Sequence, residues 1–475
     1  MEEGGKSRVP KKLLLFAATS LLLNALFVCY FFVQPDGGRS EFGWFRWAAE
    51  EAEAVAAISC SGHGRAYVDG VPSDGRPVCE CNTCYAGVDC SVPVPDCPAD
   101  ADSGDPLYLE PYWRRNVAAG AVVVSPWHRM SYQANGNYFI SLELERHIRL
   151  LHDAVGNAVT RDRSVVFGAG STQLINSAVH ALSLDSGSNA SSFIPSLVVA
   201  TPPYYALYKR QTLLLDSSEY RWEGSTANWV NLSAPPGAKF IEFVTSPNNP
   251  DGRLKQSVLG SSLVINDHAY YWPLYSAIPA PADEDLMIFT DSKVSGHAGS
   301  RFGWALVKDE KVYQKMIQYM QVNTMGASRD TQLRVLKLLK VILAKVGTEG
   351  DIFKYGYEML SERWRMLNNI ISSSKRFSLQ NLSPQYCTYF QRIRDPSPAY
   401  AWLKCEQEED ADCEAVLREA GIISRSGKVF EAEGYYTRLS LLKTQDDFNQ
   451  LLMKMEALVS KEKLLSLLVD ERVFR

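Results

Sequence analysis

Short apolar runs alternate with stretches of mixed helical character between about residues 160 and 310. Six of these runs are typical of strands: SVVFGAG (164–170), SLVVATPP (196–203), IEFVTSPNNP (241–250), SLVIND (262–267), LMIFTDSK (286–293) and FGWALV (302–307). They are apolar at nearly every position rather than at every second one, which indicates strands buried on both faces. The pattern predicts an α/β fold whose mostly parallel sheet is covered by helices on both sides.

The pattern becomes helical from about residue 330. The stretch TQLRVLKLLKVILAKV (331–346) has apolar residues three and four positions apart, and YYTRLSLL (435–442) predicts a strand close to the C-terminus. We therefore expect a large domain over residues 99–330 and a smaller α+β domain over residues 331–475.

The N-terminal region differs from the remainder in both hydropathy and charge. Residues 13–33 (LLLFAATSLLLNALFVCYFFV) carry no charge, are long enough to span a bilayer as one helix, and follow four basic residues. The run ends in bulky aromatic residues without an evident cleavage site, which favours an uncleaved signal anchor over a cleaved signal peptide. The positive charges place residues 1–12 in the cytoplasm and the chain beyond the anchor in the lumen or outside the cell. Residues 34–58 then form an acidic, Ala-rich linker.

Six of the ten cysteines lie within residues 59–98, in a segment rich in Gly, Pro and Asp that has no apolar face to bury. Such a segment is held together by disulfides or by a metal ion. CECNTC contains a spacing that zinc also uses, but the even count and an oxidising compartment favour disulfides without a metal. Asn-x-Ser sequons at Asn189, Asn231 and Asn381 fit the same compartment. The segment therefore predicts a lumenal or extracellular protein.

Overall charge limits the possible partners. The formal net charge is −5 and no long basic run occurs. Nucleic-acid binding requires clustered Lys and Arg to neutralise phosphates, so nucleic acid is excluded as a partner.

Polar groups follow five of the predicted strands at their carboxyl ends, where open parallel sheets bind ligands. In chain order the groups that could contact a ligand are Ser171 and Thr172 after a Gly-rich turn, Tyr205, Asn249, Asp267 with Tyr270, and Lys293 with Arg301. Any one of them alone is typical of a turn or of core packing. Together they supply an anion cradle at a helix N-terminus, an aromatic plate, an acid, a phenol, an amine and a guanidinium. This set matches pyridoxal 5'-phosphate (PLP), whose chemistry requires a lysine bonded to the cofactor and an acid that keeps its ring nitrogen protonated.

The order and spacing of SYQAN, GAGSTQL, TSPNNPDG, NDHAYYWP, TDSKVSGHAGSRFGWALVKD and TRLSLL resemble the fold-type-I aminotransferases. More narrowly, they resemble the plant alliinase and tryptophan aminotransferase-related family. The Cys-rich segment resembles that family's EGF-like alliinase module. The resemblance extends over about residues 59–460. It implies a fold-type-I PLP-dependent transferase preceded by a disulfide-rich EGF-like module and one transmembrane helix.

The resemblance also assigns roles to individual residues. It implies that Lys293 bonds covalently to the cofactor, that Asp267 contacts the ring nitrogen, and that Asn249 and Tyr270 contact the phenolic oxygen. The phosphate would be held by Ser171, Thr172, Thr290 and Arg301. Tyr205 would stack on the ring, and Asp291 and Ser292 complete the cofactor-binding set. Tyr132 would reach the cofactor phosphate of a neighbouring subunit, which implies a homodimer, and Arg438 would bind the substrate carboxylate. The implied disulfides are Cys60–Cys79, Cys81–Cys90, Cys84–Cys97 and Cys405–Cys413.

The same residues serve two reactions. We favour an aminotransferase that acts on a bulky L-amino acid, preferably an aromatic one such as tryptophan, with a keto acid as acceptor and indole-3-pyruvate as product. The alternative is an alliinase-type carbon–sulfur lyase that acts on S-alkyl-cysteine sulfoxides. An inactive scaffold that displays the EGF-like module is disfavoured, because Lys293, Asp267 and Arg301 are all intact. Gln133 and Asn266 depart from the residues that relatives tend to carry, and this leaves the substrate open.

Overall fold

We analysed a computed structural model of the chain. It describes residues 19–22, 43–73, 75–134, 137–183, 194–232, 239–260 and 263–473. These residues belong to two compact units, one drawn from 1–59, 65–79 and 123–128, the other from 60–64, 80–122 and 129–475.

The predicted membrane anchor, residues 13–33, lies outside the described residues apart from 19–22. No helix within the described ranges is both long and apolar enough to cross a membrane. The predicted linker is helical over Trp44–Ala56 in the first unit, which also contains a short hairpin of Pro72–Ser73 and Arg76–Pro77.

The second unit is built on a seven-stranded sheet. Its strands are β1 (Ser164–Gly168), β2 (Ser196–Ala200), β3 (Tyr220–Ser225), β4 (Phe240–Thr245), β5 (Leu263–Asp267), β6 (Leu286–Thr290) and β7 (Gly303–Val307). They lie in the order β1-β7-β6-β5-β4-β2-β3. Only β7 runs antiparallel to its neighbours, so the sheet is mixed but mostly parallel. Sequence analysis missed β3, because YRWEGS is not an apolar run and its strand lies at the sheet edge.

Several strands end earlier than predicted, because the polar residues after them begin new elements. β6 ends at Thr290 rather than at residue 293, since the Thr290 side chain accepts a hydrogen bond from the Ser292 N–H at 3.3 Å and caps a short helix. β1 ends at Gly168, since a helix begins at Gly170. The shortening leaves the predicted ligand-binding side chains in loops and first helical turns beyond the strands.

Within the described residues of this unit, eight helices of seven or more residues, together with the four-residue helix that carries Lys293, alternate with the strands and then dominate the C-terminal part. They are α1 (Leu142–Val155), α2 (Gly170–Ser183), α3 (Leu207–Leu214), α4 (Asp291–Val294), α5 (Glu310–Thr324), α6 (Arg329–Lys345), α7 (Ile352–Ile371), α8 (Cys413–Glu419) and α9 (Gln445–Val473). Val165 and Phe167 of β1 pack into one apolar core and Val166 into another, so both faces of the sheet are covered. This arrangement agrees with the prediction from continuous apolar runs.

A second, antiparallel sheet lies in the C-terminal part. It comprises β8 (Phe377–Leu379), β9 (Tyr400–Cys405), β10 (Arg425–Ser426) and β11 (Tyr436–Ser440), in the order β8-β9-β11-β10. Arg438 on β11 lies opposite Trp402 of β9 and opposite Arg425 of β10. Strand pairing therefore places two guanidinium groups side by side.

Disulfides hold the Cys-rich segment together. Bonds join Cys81 to Cys90, Cys84 to Cys97, and Cys405 to Cys413 in the C-terminal part, and Cys60 and Cys79 are also disulfide-bonded. The buried Cys387 is a free thiol. No group of three or more His, Cys, Asp or Glu side chains that could hold a metal ion occurs among the residues described above. All three cysteines of CECNTC are disulfide-bonded, as predicted.

Candidate active site

A cavity of about 230 Å³ lies beyond the carboxyl ends of β1, β4, β5 and β6, against the second sheet. Eleven predicted site residues line it: Ser171, Thr172, Tyr205, Asn249, Asp267, Tyr270, Thr290, Ser292, Lys293, Arg301 and Arg438. Their sequence separations are large, and the parallel strands bring them together because those strands end at the same edge.

Lys293 lies in the short helix α4, directly after β6. Its Nζ donates a hydrogen bond to the Gly104 carbonyl at 2.6 Å and lies 5.4 Å from the centre of the Tyr270 ring. Burial lowers the pKa of the Lys293 amine below its ordinary value. A lowered pKa increases the fraction of neutral amine, which is the form that reacts with a carbonyl group and accepts a proton.

Asp267 ends β5 and is buried. Its Oδ2 accepts a hydrogen bond from the Tyr208 hydroxyl at 2.7 Å, and its Oδ1 accepts one from the Ala269 N–H at 3.1 Å. Burial raises the pKa of Asp267 although both hydrogen bonds oppose the rise. Tyr208, which sequence analysis did not single out, also bonds to Thr245 at 2.6 Å and holds the carboxyl in place.

The anion-binding end of the cavity is formed at the N-terminus of α2. Gly170 has a φ of +76°, and a Cβ there would lie 2.5 Å from Nη2 of Arg301. Nη2 also donates a hydrogen bond to Oγ1 of Thr172 at 3.4 Å. The first backbone N–H groups of a helix and a guanidinium both favour a phosphate, so this end is suited to the phosphate of PLP.

Arg438 is a buried cation, only 2% exposed. It donates hydrogen bonds to Oδ1 of Asn249 at 3.0 Å and to the Asp102 carbonyl at 2.7 Å, while its buried Nε has no hydrogen-bond partner within the described part of the chain. A buried guanidinium bonded only to neutral acceptors is suited to an incoming carboxylate.

Two predicted site residues do not line the cavity. Asp291 is completely buried, with its side chain turned away from the cavity that Ser292 and Lys293 line, because successive residues of a helix point about 100° apart. The expectation that Asp291 contacts the cofactor is therefore not supported by its position. The Tyr132 side chain is 68% exposed. Its expected role concerns a neighbouring subunit and stays a prediction.

The cavity also contains residues that sequence analysis missed. Tyr400 on β9 forms a hydrogen bond of 2.6 Å with the Tyr270 hydroxyl, and Arg425 on β10 pairs with Asp102 at 2.5 and 2.8 Å. Gly104 contributes its carbonyl, as described for Lys293. Arg425 could have been found as a second basic residue near TRLSLL, but no local signal distinguishes Tyr400 from a core tyrosine.

The side chains of the cavity fit PLP by chemistry and by space. An amine with a lowered pKa, a buried carboxyl and an anion cradle lie in one cavity, and the cradle exists only because residue 170 has no side chain. Lys293, Asp267 and the Ser171–Arg301 end would hold the carbonyl carbon, the ring nitrogen and the phosphate, respectively.

Solved structures with the same fold include an aspartate aminotransferase from Thermotoga maritima. It superposes with a TM-score of 0.51 at 18% identity, over 76% of this chain and 92% of that chain. At this identity the likeness shows the fold alone, which is that of the fold-type-I aminotransferases.

Sequence comparisons identify close relatives. The family profile described as "Allinase" matches residues 99–459, and the profile "Alliinase EGF-like domain" matches residues 43–97. Tryptophan aminotransferase-related protein 3 of Arabidopsis thaliana is 50% identical over 94% of this chain and 97% of its own length. An alliin lyase of Allium cepa is 48% identical over 97% of this chain and 95% of its own length. The chain therefore belongs to the alliinase family of fold-type-I proteins, whose cofactor is pyridoxal 5'-phosphate.

Proposed function

We propose that the chain is a PLP-dependent aminotransferase that acts on L-amino acids with aromatic side chains, tryptophan among them. The observation that carries the proposal is the position of Arg438 and Lys293 in one cavity, which suits the two ends of an α-amino acid. The phenols of Tyr205, Tyr270 and Tyr400 line the same cavity and favour an aromatic side chain. The similarity to tryptophan aminotransferase-related proteins supports the same substrate class.

Each residue would have a defined part in the reaction. Bound PLP supplies an electron sink for the α-carbon of the substrate. Arg438 would hold the substrate carboxylate by two N–H groups and so fix the direction of the α-C–H bond. The neutral Nζ of Lys293 would take the α-proton, and Asp267 would hold a proton at the ring nitrogen. Arg301 and Thr172 would fix the phosphate end.

A carbon–sulfur lyase is the second candidate, favoured by the 48% identity to an alliin lyase. Both reactions use the same lysine, acid and guanidinium groups. After the α-proton has been removed, transamination exchanges the amino group for oxygen, whereas the lyase reaction expels the sulfur substituent from the β-carbon. Only product analysis separates them.

The test uses the purified full-length chain loaded with PLP. One sample receives L-tryptophan and a keto acid, and another receives an S-alkyl-cysteine sulfoxide. Indole-3-pyruvate without pyruvate from the sulfoxide is the expected result. Pyruvate and ammonia from the sulfoxide, with tryptophan inert, would instead establish the lyase. Lys293→Ala is the control and must abolish either product.

We also propose the cellular setting of this enzyme. The EGF-like module with its disulfides is typical of a secretory or extracellular compartment. Residues 13–33 would anchor the chain in the membrane, with the PLP-binding part in the lumen or outside the cell, and two chains would form a homodimer. Protease protection of residues 43–475 in sealed microsomes tests the orientation, since protection is lost if this part faces the cytoplasm.

A further inference from the structure

Tyr400 contributes a buried phenol to the cavity from β9 of the second sheet. Its hydroxyl lies 2.6 Å from the Tyr270 hydroxyl, and its ring centre lies 4.0 Å from the Arg438 guanidinium carbon. It is 4% exposed. The role implied for Tyr270, contact with the phenolic oxygen of the cofactor, does not account for the phenol of Tyr400.

Gly104 brings this phenol close to the reactive lysine. A Cβ built on Gly104 would lie 2.5 Å from the Tyr400 hydroxyl oxygen and 3.6 Å from Nζ of Lys293. Any side chain at position 104 would therefore displace one or both groups. Because position 104 has no side chain, the phenol oxygen and the amine nitrogen can both lie within 4 Å of the same point.

The charged groups around Tyr400 and Lys293 do not fully compensate one another. The titratable and charged groups that face this pair from the first sheet and its loops are Tyr205, Asp267, Tyr270, Tyr275 and Arg301, and Asp105 faces it from the segment that follows the Cys-rich module. Those from the second sheet are Arg425 and Arg438. Arg425 is already paired with Asp102, whereas Arg438 has no acidic partner within the described residues. The uncompensated charge next to Tyr400 is therefore positive.

We propose that Tyr400 and Lys293 form a phenol–amine proton pair, in which a proton passes from Oη of Tyr400 to Nζ of Lys293 and back. Transfer to the amine leaves a phenolate beside an ammonium group, so the pair keeps its total charge. The Tyr270 hydroxyl donates a hydrogen bond to the phenolate, and Arg438 stabilises it electrostatically. Return of this proton to the phenolate leaves a neutral Lys293 amine, which can then take a proton from a substrate.

The pKa directions agree with this geometry. Burial alone would raise the pKa of the Tyr400 phenol, but Lys293 and Arg438 together outweigh burial and lower it. Burial lowers the pKa of Lys293, and Tyr400 is the main group that opposes this change. Each group thus shifts the pKa of the other, as expected for two groups that exchange a proton. The inference rests on Lys293 as the reactive lysine of the proposed function, but not on the choice between aminotransferase and lyase.

The experiment uses the full-length chain freed of cofactor, with two readouts. Ultraviolet difference titration follows the formation of tyrosinate, and competitive acetylation with mass spectrometry follows the fraction of neutral Lys293 at each pH. The wild type is expected to show one tyrosinate step below the pH of ordinary tyrosines. In Tyr400→Phe this step is lost and the acetylation profile of Lys293 shifts to lower pH, because the ammonium form has lost the phenolate.

Tyr271→Phe is the matched control. Tyr271 is also a buried tyrosine, but its hydroxyl donates to the Ala280 carbonyl at 2.7 Å and does not line the cavity. This variant must leave both readouts unchanged. Tyr270→Phe is the second test if Tyr400→Phe does not fold, and it is expected to move the tyrosinate step to higher pH.

A wild type without an early tyrosinate step, or a Tyr400→Phe variant with an unchanged Lys293 profile, overturns the proposal. Neither readout requires a substrate or a bound cofactor. A chain that fails to transaminate tryptophan but shows both effects therefore disproves the proposed substrate and not the proton pair.

Discussion

Arg438 is the residue whose position most directly predicts a kinetic effect. Its guanidinium is buried and bonded to neutral acceptors, so its charge is available to a carboxylate. We expect Arg438→Gln to raise KM for the amino acid roughly 10- to 100-fold, since a hydrogen bond to a charged group contributes about 1.5–3 kcal/mol. The affinity for PLP should hardly change, because its phosphate end is held elsewhere. Steady-state kinetics and a cofactor titration on the same samples measure both.

Arg438→Lys provides the comparison for that variant. Lysine keeps the positive charge but lacks the planar fork that bonds two carboxylate oxygens. Its KM is expected to lie between those of the wild type and of Arg438→Gln. A glutamine variant with the wild-type KM would show that Arg438 does not bind the substrate carboxylate.

Asp291 makes stability depend on pH. Neither of its carboxylate oxygens has a hydrogen-bond partner within the described residues, and the nearby Ser295 hydroxyl donates to the Asp291 backbone carbonyl instead. Burial raises the pKa of Asp291 to about 7, whereas an aspartate in an unfolded chain titrates at about 4. Between these values the folded state keeps a proton that the unfolded chain has released. The free energy of unfolding therefore falls as the pH rises from about 4 through about 7, by about 4 kcal/mol in total.

Asp291→Asn tests this linkage, because asparagine cannot ionise. The fall in Tm between pH 5 and pH 8 should be several degrees smaller in the variant than in the wild type. Asp285→Asn serves as the control, since the Asp285 side chain is 79% exposed. Equal falls in all three proteins would show that the ionisation of Asp291 has no effect on stability.

At the scale of elements, the first turn of α2 depends on a glycine. An alanine at position 170 would place its Cβ 2.5 Å from Nη2 of Arg301 and would also adopt an unfavourable positive φ. Gly170→Ala is therefore expected to weaken PLP binding at least about tenfold, a change of about 1.4 kcal/mol. Absorbance titration of the cofactor-free protein measures the affinity.

Gly156→Ala separates the effect of backbone strain from the effect of the steric contact with Arg301. Gly156 also has a positive φ, +69°, but no neighbouring atom of the described residues lies within 4 Å of the position that a Cβ would take. Both variants should lose about 1 kcal/mol of stability, and only Gly170→Ala should lose cofactor affinity. An equal loss of affinity in both would attribute the effect to backbone strain.

The elements also explain what the sequence could and could not predict. Lys293 and Asp267 could be found because each follows a continuous apolar run, and parallel strands of one sheet end together. Tyr400 could not, because its position depends on how β9 packs against a sheet formed some 100 residues earlier. The hydrophobic pattern also could not predict that β7 is antiparallel, since a buried strand has the same apolar run in either direction.

At the scale of the whole molecule, the segment that follows the Cys-rich module joins the module to the site. Ala99–Asp100 pairs in parallel with Ile422–Ile423, and Asp102 pairs with Arg425. These contacts hold the segment against the second sheet, and Gly104, two residues further along, reaches Lys293. The predicted boundary between the module and the catalytic part, near residue 98, is therefore the start of a segment that belongs to the active site.

The last prediction concerns two chains rather than one. Tyr132 is exposed and does not line the cavity of its own chain, as expected for a residue that completes the site of a second copy. Native mass spectrometry is expected to show a dimer. Tyr132→Ala should weaken PLP binding about tenfold, since one hydrogen bond to the charged phosphate is lost.

A mixing experiment distinguishes a contribution within one chain from one between chains. Lys293→Ala chains are inactive, and Tyr132→Ala chains are impaired at low PLP concentration. In a mixed dimer, the site that keeps Lys293 receives its Tyr132 from the Lys293→Ala chain and is therefore complete. Mixing the two chains should restore tight cofactor binding at half of the sites of each mixed dimer. Tyr386→Ala, which alters another exposed tyrosine, is the control and should bind the cofactor as tightly as the wild type. If mixing restores nothing, Tyr132 acts within its own chain or not at all, and the reason for assigning it to a neighbouring subunit is lost.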